Sequence, residues 1–185
     1  MGLVFAFLLI WSLFGGVSVL GASVAPPEED VWVKLAPMQQ ARCELGAAVV
    51  DGKIYAMDGT VITHLDPWHS ESKVVDTVEM YDPVTNKWVY QTPMPVPSSN
   101  FAVAVFENKI YCIGGGVLWV YNAASHGMDP LFREGFNLVY DPVLAVWEYR
   151  AAMPVSREGS QAHVVGGKIY LLGGGFSEWF LELDL

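Results

Sequence analysis

The chain has 185 residues, 20 acidic against 10 basic side chains for a formal charge of −10, and 52% hydrophobic residues with 13% aromatic. That composition excludes a disordered chain, which is poor in aromatics and rich in charge. With no basic cluster to neutralise phosphates it also excludes nucleic-acid binding, and the length suits one domain with its own core.

No charged side chain precedes Glu28, and Leu3 to Leu20 is almost wholly apolar. The run ends in the small residues Gly21, Ala22, Ser23, Val24 and Ala25. This pattern predicts a signal peptide over residues 1–25, cut after Ala25, and a mature chain that is secreted or extracytoplasmic. The competing expectation is an uncleaved anchor, with membrane attachment through residues 3–20, because about 20 apolar residues can cross a bilayer. Two cysteines, Cys43 and Cys112, make no disulfide framework, and two buried free thiols are expected.

After the leader, Val31 to Leu35, with Trp32, reads as a short strand. Three segments then repeat: 50–59 (VDGKIYAMDG), 106–115 (FENKIYCIGG) and 165–174 (VGGKIYLLGG), with Ile54, Ile110 and Ile169 spaced by 56 and 59 residues. Upstream of each lies a run of small and β-branched residues: Gly46 to Val50, Phe101 to Val105 and Gln161 to Val165. Asp51-Gly52, Glu107-Asn108 and Gly166-Gly167 stand where two-residue hairpin turns want positive φ, so each repeat opens with a β-hairpin. A second strand pair follows in 78–90 and 137–149, where Tyr81 precedes Trp88, and Tyr140 precedes Trp147, by seven residues. Asp82-Pro83 and Asp141-Pro142 supply the bends. With no helical periodicity, four short strands per repeat describe the blade of a propeller.

The Ile-Tyr, Gly-Gly, Tyr-Asp-Pro, Trp and Met-Pro landmarks over residues 31–185 resemble kelch repeats. The resemblance implies an all-β kelch-type β-propeller of about three four-stranded blades, with repeats at about 38–93, 94–152 and 153–185 in a segment 26–185. Residues 31–36 are the equivalent of a fourth strand. The Arg that opens such repeats stands at Arg42 and Arg157, but Ser98 takes its place in the middle repeat, and Met57-Asp58-Gly59 replaces a Gly pair. Tyr55, Tyr81, Trp88, Tyr111, Gly114, Gly115, Tyr140, Trp147, Tyr170, Gly173 and Gly174 are expected to be structural, the two Trp packing between blades. Three blades leave apolar ends open, so the expectation is either a partial propeller from a longer protein or half of a six-bladed ring completed in a homodimer.

Function is expected on the long connections between second and third strands, Thr60 to Val75 and Gly116 to Gly135, since loops of that length are seldom idle and exposed aromatics with Arg suit binding. They carry His64, Leu65, Trp68, His69, Trp119, Tyr121, His126, Met128, Leu131, Phe132, Arg133 and Glu134, with Arg42 and Arg157 expected at the same mouth. The binding set is Arg42, His64, Trp68, His69, Trp119, Tyr121, Phe132, Arg133 and Arg157, and the partner a protein or glycan. His64, Asp66 and His69 fall within six residues but do not match structural zinc spacing, so no metal and no cofactor are expected. His163 reads as a core or channel residue. No nucleophile elbow, phosphate loop or carboxylate pair appears. The resemblance also admits an exported carbohydrate-active enzyme such as a sialic-acid mutarotase-like isomerase, although no catalytic residue can be matched.

Overall fold

The computed structural model describes residues 31–66, 68–115, 118–122, 127–131, 135–175 and 181–185; the apolar leader lies outside them. Leu35–Leu185 forms one compact unit. The first four-stranded antiparallel sheet contains β1 (Gly46–Val50), β2 (Lys53–Asp66), β3 (His69–Asp82) and β4 (Lys87–Tyr90) in that order. The second sheet contains β5 (Ala102–Phe106), β6 (Lys109–Ile113), β9 (Asn137–Asp141) and β10 (Val146–Tyr149). Between β6 and β9 the separate hairpin β7 (Leu118–Asn122) and β8 (Gly127–Leu131) is inserted. The third sheet has three strands: β11 (Gln161–Val165), β12 (Lys168–Leu172) and β13 (Leu181–Asp184).

The repeat seen in the sequence is a repeat of register. Ile54 pairs with Tyr81, Ile110 with Tyr140 and Ile169 with Leu183. The opening hairpins turn through left-handed residues, with φ of 48° and 69° at Asp51 and Gly52, 47° and 58° at Glu107 and Asn108, and 58° and 77° at Gly166 and Gly167. Two-residue turns of that hand match the twist of the strands they join.

The sheets stack face to face. Tyr55, Met57 and Val78 of the first meet Ile110, Cys112, Leu138 and Tyr140 of the second. The opposite face of the second, with Ala102, Ala104, Tyr111, Ile113 and Val139, meets Ile169 and Leu171 of the third. Backbone bonds stitch neighbouring sheets at equivalent places: Gly59 N donates to Ser98 O at 2.9 Å and Gly115 N to Arg157 O at 2.7 Å. These bonds depend on backbone turned to φ of 103° and 129°. At Asp58, φ is 53°, so the aspartate takes the left-handed turn its repeat-mates Gly114 and Gly173 take, and the departure from a Gly pair leaves the backbone path intact.

Several expectations change. Residues 31–36 form no strand, and Trp32 is fully exposed. Of the two repeat tryptophans, Trp147 is half-buried and packs against the core between the first and second sheets, as expected, whereas Trp88 is no part of that core. Both stack on Tyr81 and Tyr140 of their own sheets, centroids 5.1 and 4.8 Å apart, and their indoles donate to the linkers leading into those sheets, at Ala36 O (2.9 Å) and Thr92 O (3.1 Å). Cys112 is buried as expected, but Cys43 is exposed because its backbone pairs with Thr60 outside the sheet interior.

Candidate functional site: an extended hairpin with an exposed tip

The segment 60–75, expected to be a loop, is a hairpin. β2 and β3 run on past the body of the sheet, from Gly59 opposite Val75 to Asp66 opposite His69. The alternation of Val61, Ile62 and Thr63 against Ser72, Lys73 and Val74 sustains pairing, so the ladder does not stop where the blade does. At about 3.3 Å per residue the extension is on the order of 20 Å long. Its base is clamped by Cys43, whose N donates to Thr60 O at 2.9 Å and whose O accepts from Thr60 N at 2.8 Å. Thr60 Oγ1 also donates to Glu44 Oε2 at 3.0 Å.

The tip is shaped by Asp66. Its Oδ1 accepts from Trp68 N (2.8 Å) and His69 N (3.0 Å), and its Oδ2 lies 2.7 Å from His69 Nδ1. The Trp68 N–H, then the His69 side chain, hold the Asp66 carboxyl below its usual pKa, so Asp66 remains an acceptor into mildly acid solution. This local lock leaves Trp68 90% exposed. His64 and Ile62 are exposed on the same hairpin. The result is a large aromatic ring on a braced turn, with imidazoles nearby to donate or accept.

The second expected loop is also a hairpin in part, with Leu118 opposite Leu131 and Asn122 opposite Gly127. It leaves the second sheet between its second and third strands, the same topological point from which the β2–β3 tip leaves the first. Trp119 and Tyr121 belong to β7, while Phe132 and Arg133 lie outside the described residues, as does His126.

The two arginines are elsewhere. The Arg42 side chain is wholly buried, as is that of Glu79, and Nη1 lies 2.5 Å from Glu79 Oε1. Arg42 Nη2 donates to Ala56 O at 3.0 Å, and Glu79 Oε2 accepts from Gln39 N at 2.8 Å. Arg157 is 3% exposed and donates to Gly173 O at 3.0 Å. Neither guanidinium is presented at the mouth. Position at the start of a first strand, which the sequence did show, carries each side chain inward against its own sheet. His163 does face open space, in a groove of about 300 Å³ along β1, β5 and β11.

Asp58 is the buried polar group that sequence reasoning passed over, although its departure from the repeat marked it. It is fully buried, accepts from Ser98 N at 3.2 Å, and has its pKa pushed up to about 8, chiefly by loss of solvent. It braces the junction between the first and second sheets beside Cys112, whose Sγ lies 3.7 Å from Met57 Sδ. Among the described residues no cluster of His, Cys, Asp or Glu has the arrangement of a metal site.

The family model of the Kelch motif matches residues 68–95, which run from the hairpin tip through β3 and β4 to the next linker. The chain carries kelch repeats. This kelch chain is 32% identical to Kelch-like protein 25 of Xenopus tropicalis over 78% of its own length and 23% of that protein. It is 32% identical to Kelch-like protein terF of Aspergillus terreus, over 77% of its length and 29% of that protein. It therefore spans about a quarter of the length of these curated relatives. Among solved structures, that of YjhT superposes with a TM-score of 0.62 at 20% identity, over 83% of this chain and 55% of that one. The kelch chain thus has the fold of a kelch β-propeller, represented by three stacked sheets.

Proposed function

We propose that this kelch chain is an exported binding scaffold that takes hold of a protein partner with the two hairpins projecting between second and third strands. The observation that carries the reading is Trp68, 90% exposed at the end of a hairpin whose turn is fixed by three contacts to Asp66. An exposed indole is expensive to keep in water and is among the side chains that dominate protein interfaces once buried. Bracing the turn lowers the ordering cost of binding. A mouse relative, 35% identical over 48% of this chain, is by name a homologue of a protein that binds influenza NS1A, which supports a protein as the class of partner. Export rests on the uncharged Leu3–Leu20 run and its small-residue end.

The test is paired capture. Immobilised wild type and Trp68→Ala are exposed to the same extracellular protein fraction, with a glycan array in parallel. The reading expects proteins retained by wild type and lost by at least about tenfold on Trp68→Ala, with unchanged thermal stability. Equal retention by both, or binding confined to glycans, refutes it.

A further inference from the structure

The projecting hairpin has two edges that are not alike. Thr60 turns both of its backbone groups toward Cys43, so Thr60 and its pair mate Val74 do not bond each other, and Val74 points its N–H and C=O outward. By alternation the pairs Ile62–Ser72 and His64–Ser70 also send their backbone groups outward. On the β2 side the Cys43 clamp occupies the base and the bulge at His64/Asp66 breaks the tip, which leaves only Ile62 and His64. On the β3 side β4 pairs with Glu79 to Asp82, and the linker prolongs that ladder, with Gln91 N donating to Val78 O and Met94 N to Asp76 O, both at 2.9 Å. There the linker leaves the edge. Beyond it Val74, Ser72 and Ser70 present backbone groups that pair with no other described residue, in a register unbroken from Val75 to Ser70. Such an edge is a template for another strand.

The side chains along it fit one strand in particular. Ser70 and Ser72 are small and exposed, so a second strand can come close. Glu71 and Lys73 alternate with them onto the other face of the hairpin; both are exposed, and neither has an ion-pair partner among the described residues. They flank Ser72 symmetrically with opposite charge. A strand laid antiparallel along β3 and centred on Ser72 should therefore carry an acid opposite Lys73 and a base opposite Glu71. The β3 strand of a second copy does so, with Glu71 opposite Lys73 and Lys73 opposite Glu71. The formal charge of −10 on each copy opposes association, but residues 60–75 carry only Asp66, Glu71 and Lys73, so little of that repulsion acts at the contact.

We infer that the β3 edges of two copies pair antiparallel about a two-fold axis at Ser72, joining the two hairpins into one four-stranded sheet. Ser72 exchanges both backbone bonds with Ser72 of the second copy, while Ser70 and Val74 exchange theirs with its Val74 and Ser70. The Glu71–Lys73 contacts, one on each side of the axis, fix the register. Trp68 lies outside the paired stretch, so this contact goes beyond the capture of a partner by Trp68 and does not require it.

The test is sedimentation velocity on full-length chains over a concentration series. Lys73→Glu and Glu71→Lys each set like charges opposite one another at both symmetric contacts, and each is expected to weaken self-association at least about tenfold. The exchange Glu71→Lys/Lys73→Glu restores opposite charges and is expected to recover the association of wild type. An equimolar mixture of the two single variants also sets acid against base, and it is expected to form a heterodimer more strongly than either variant self-associates. In a Cys43→Ser background, which removes the exposed native thiol, Ser72→Cys is expected to oxidise to a covalent dimer at least about tenfold more than Ser70→Cys. Ser72 meets itself across the axis, whereas the two Ser70 residues lie about 13 Å apart along the strands. A wild type that does not self-associate, single variants that associate as wild type does, a mixture no stronger than its components, or equal crosslinking of Ser70→Cys and Ser72→Cys each overturns the proposal. So does a monomeric wild type that retains another protein which Lys73→Glu loses, since the edge then takes a foreign strand. Trp68→Ala leaves the edge intact and is expected to associate as wild type does, so loss of partner capture by that variant bears on Trp68 alone.

Discussion

Replacing Glu79 by Leu tests how the first sheet is held together, because the chain contains its own control. Glu79 stands two residues before Tyr81, and the equivalent position before Tyr140 is Leu138; Arg42 stands twelve residues before Ile54, and the equivalent before Ile110 is Ser98. The second sheet thus replaces both members of the pair by uncharged residues. Glu79→Leu leaves the Arg42 guanidinium at zero exposure with backbone acceptors such as Ala56 O but no carboxylate. Orphaning a buried charge in this way costs about 3–5 kcal/mol, and Arg42→Ser orphans Glu79 at a similar cost. The double variant Arg42→Ser/Glu79→Leu restores the uncharged pairing of the second sheet and is expected to lie within about 2 kcal/mol of wild type, so the coupling between the two sites is several kcal/mol. With a slope near 2 kcal/mol per molar urea, each single variant moves the unfolding midpoint down by roughly 2 M, while the double variant stays within about 1 M. Additive single effects, or a loss below about 1 kcal/mol for Glu79→Leu, would refute the view that desolvation of an unpaired charge governs this site.

Two further outcomes follow from buried backbone and buried acid. The Asp58 carboxyl titrates near pH 8 in the folded chain and near its ordinary 3.8 when unfolded, so between these values the folded state binds the extra proton and this group's contribution to stability falls as pH rises, by up to about 1.4 kcal/mol per pH unit. Asp58→Asn, which tolerates the left-handed φ of 53°, is expected to flatten that slope in urea midpoints measured from pH 5 to 8; an unchanged slope would assign the pH dependence elsewhere. Gly59→Ala is expected to cost about 3 kcal/mol or more in the same assay, since φ is 103° and the new Cβ would lie 2.5 Å from Cys43 O. Gly52→Ala, at φ 69° with nothing in the way, should cost only about 1 kcal/mol, and equal losses at the two positions would contradict the close approach at Gly59.

The sheets were legible because their signals are local and repeated. Lys-Ile-Tyr after a turn dipeptide, and Tyr seven residues before Trp, fix hairpins whose registers the structure reproduces. The tip at Trp68 was legible as a place but not as a form. Asp66-Pro67 reads as a break, and the bulges at Met57/Gly59 and His64/Asp66 interrupt the alternation that would have announced two fourteen-residue strands. The burial of Arg42 was not legible, because its partner Glu79 lies 37 residues away and a charged side chain near a strand start ordinarily faces water. Cys43 went the other way, held at the surface by its backbone pairing to Thr60. The strand expected over residues 31–36 failed for a physical reason: a strand needs a neighbouring edge, and local sequence does not supply one.

The most direct measurement of the account's central claim is hydrogen exchange by mass spectrometry on the full chain, alone and with the protein that wild type retains and Trp68→Ala loses. The account predicts that protection gained on binding concentrates in peptides covering residues 60–75 and 116–135. Protection confined to the strands β1, β5 and β11, with the Trp68 peptide exchanging as in the free chain, would contradict it.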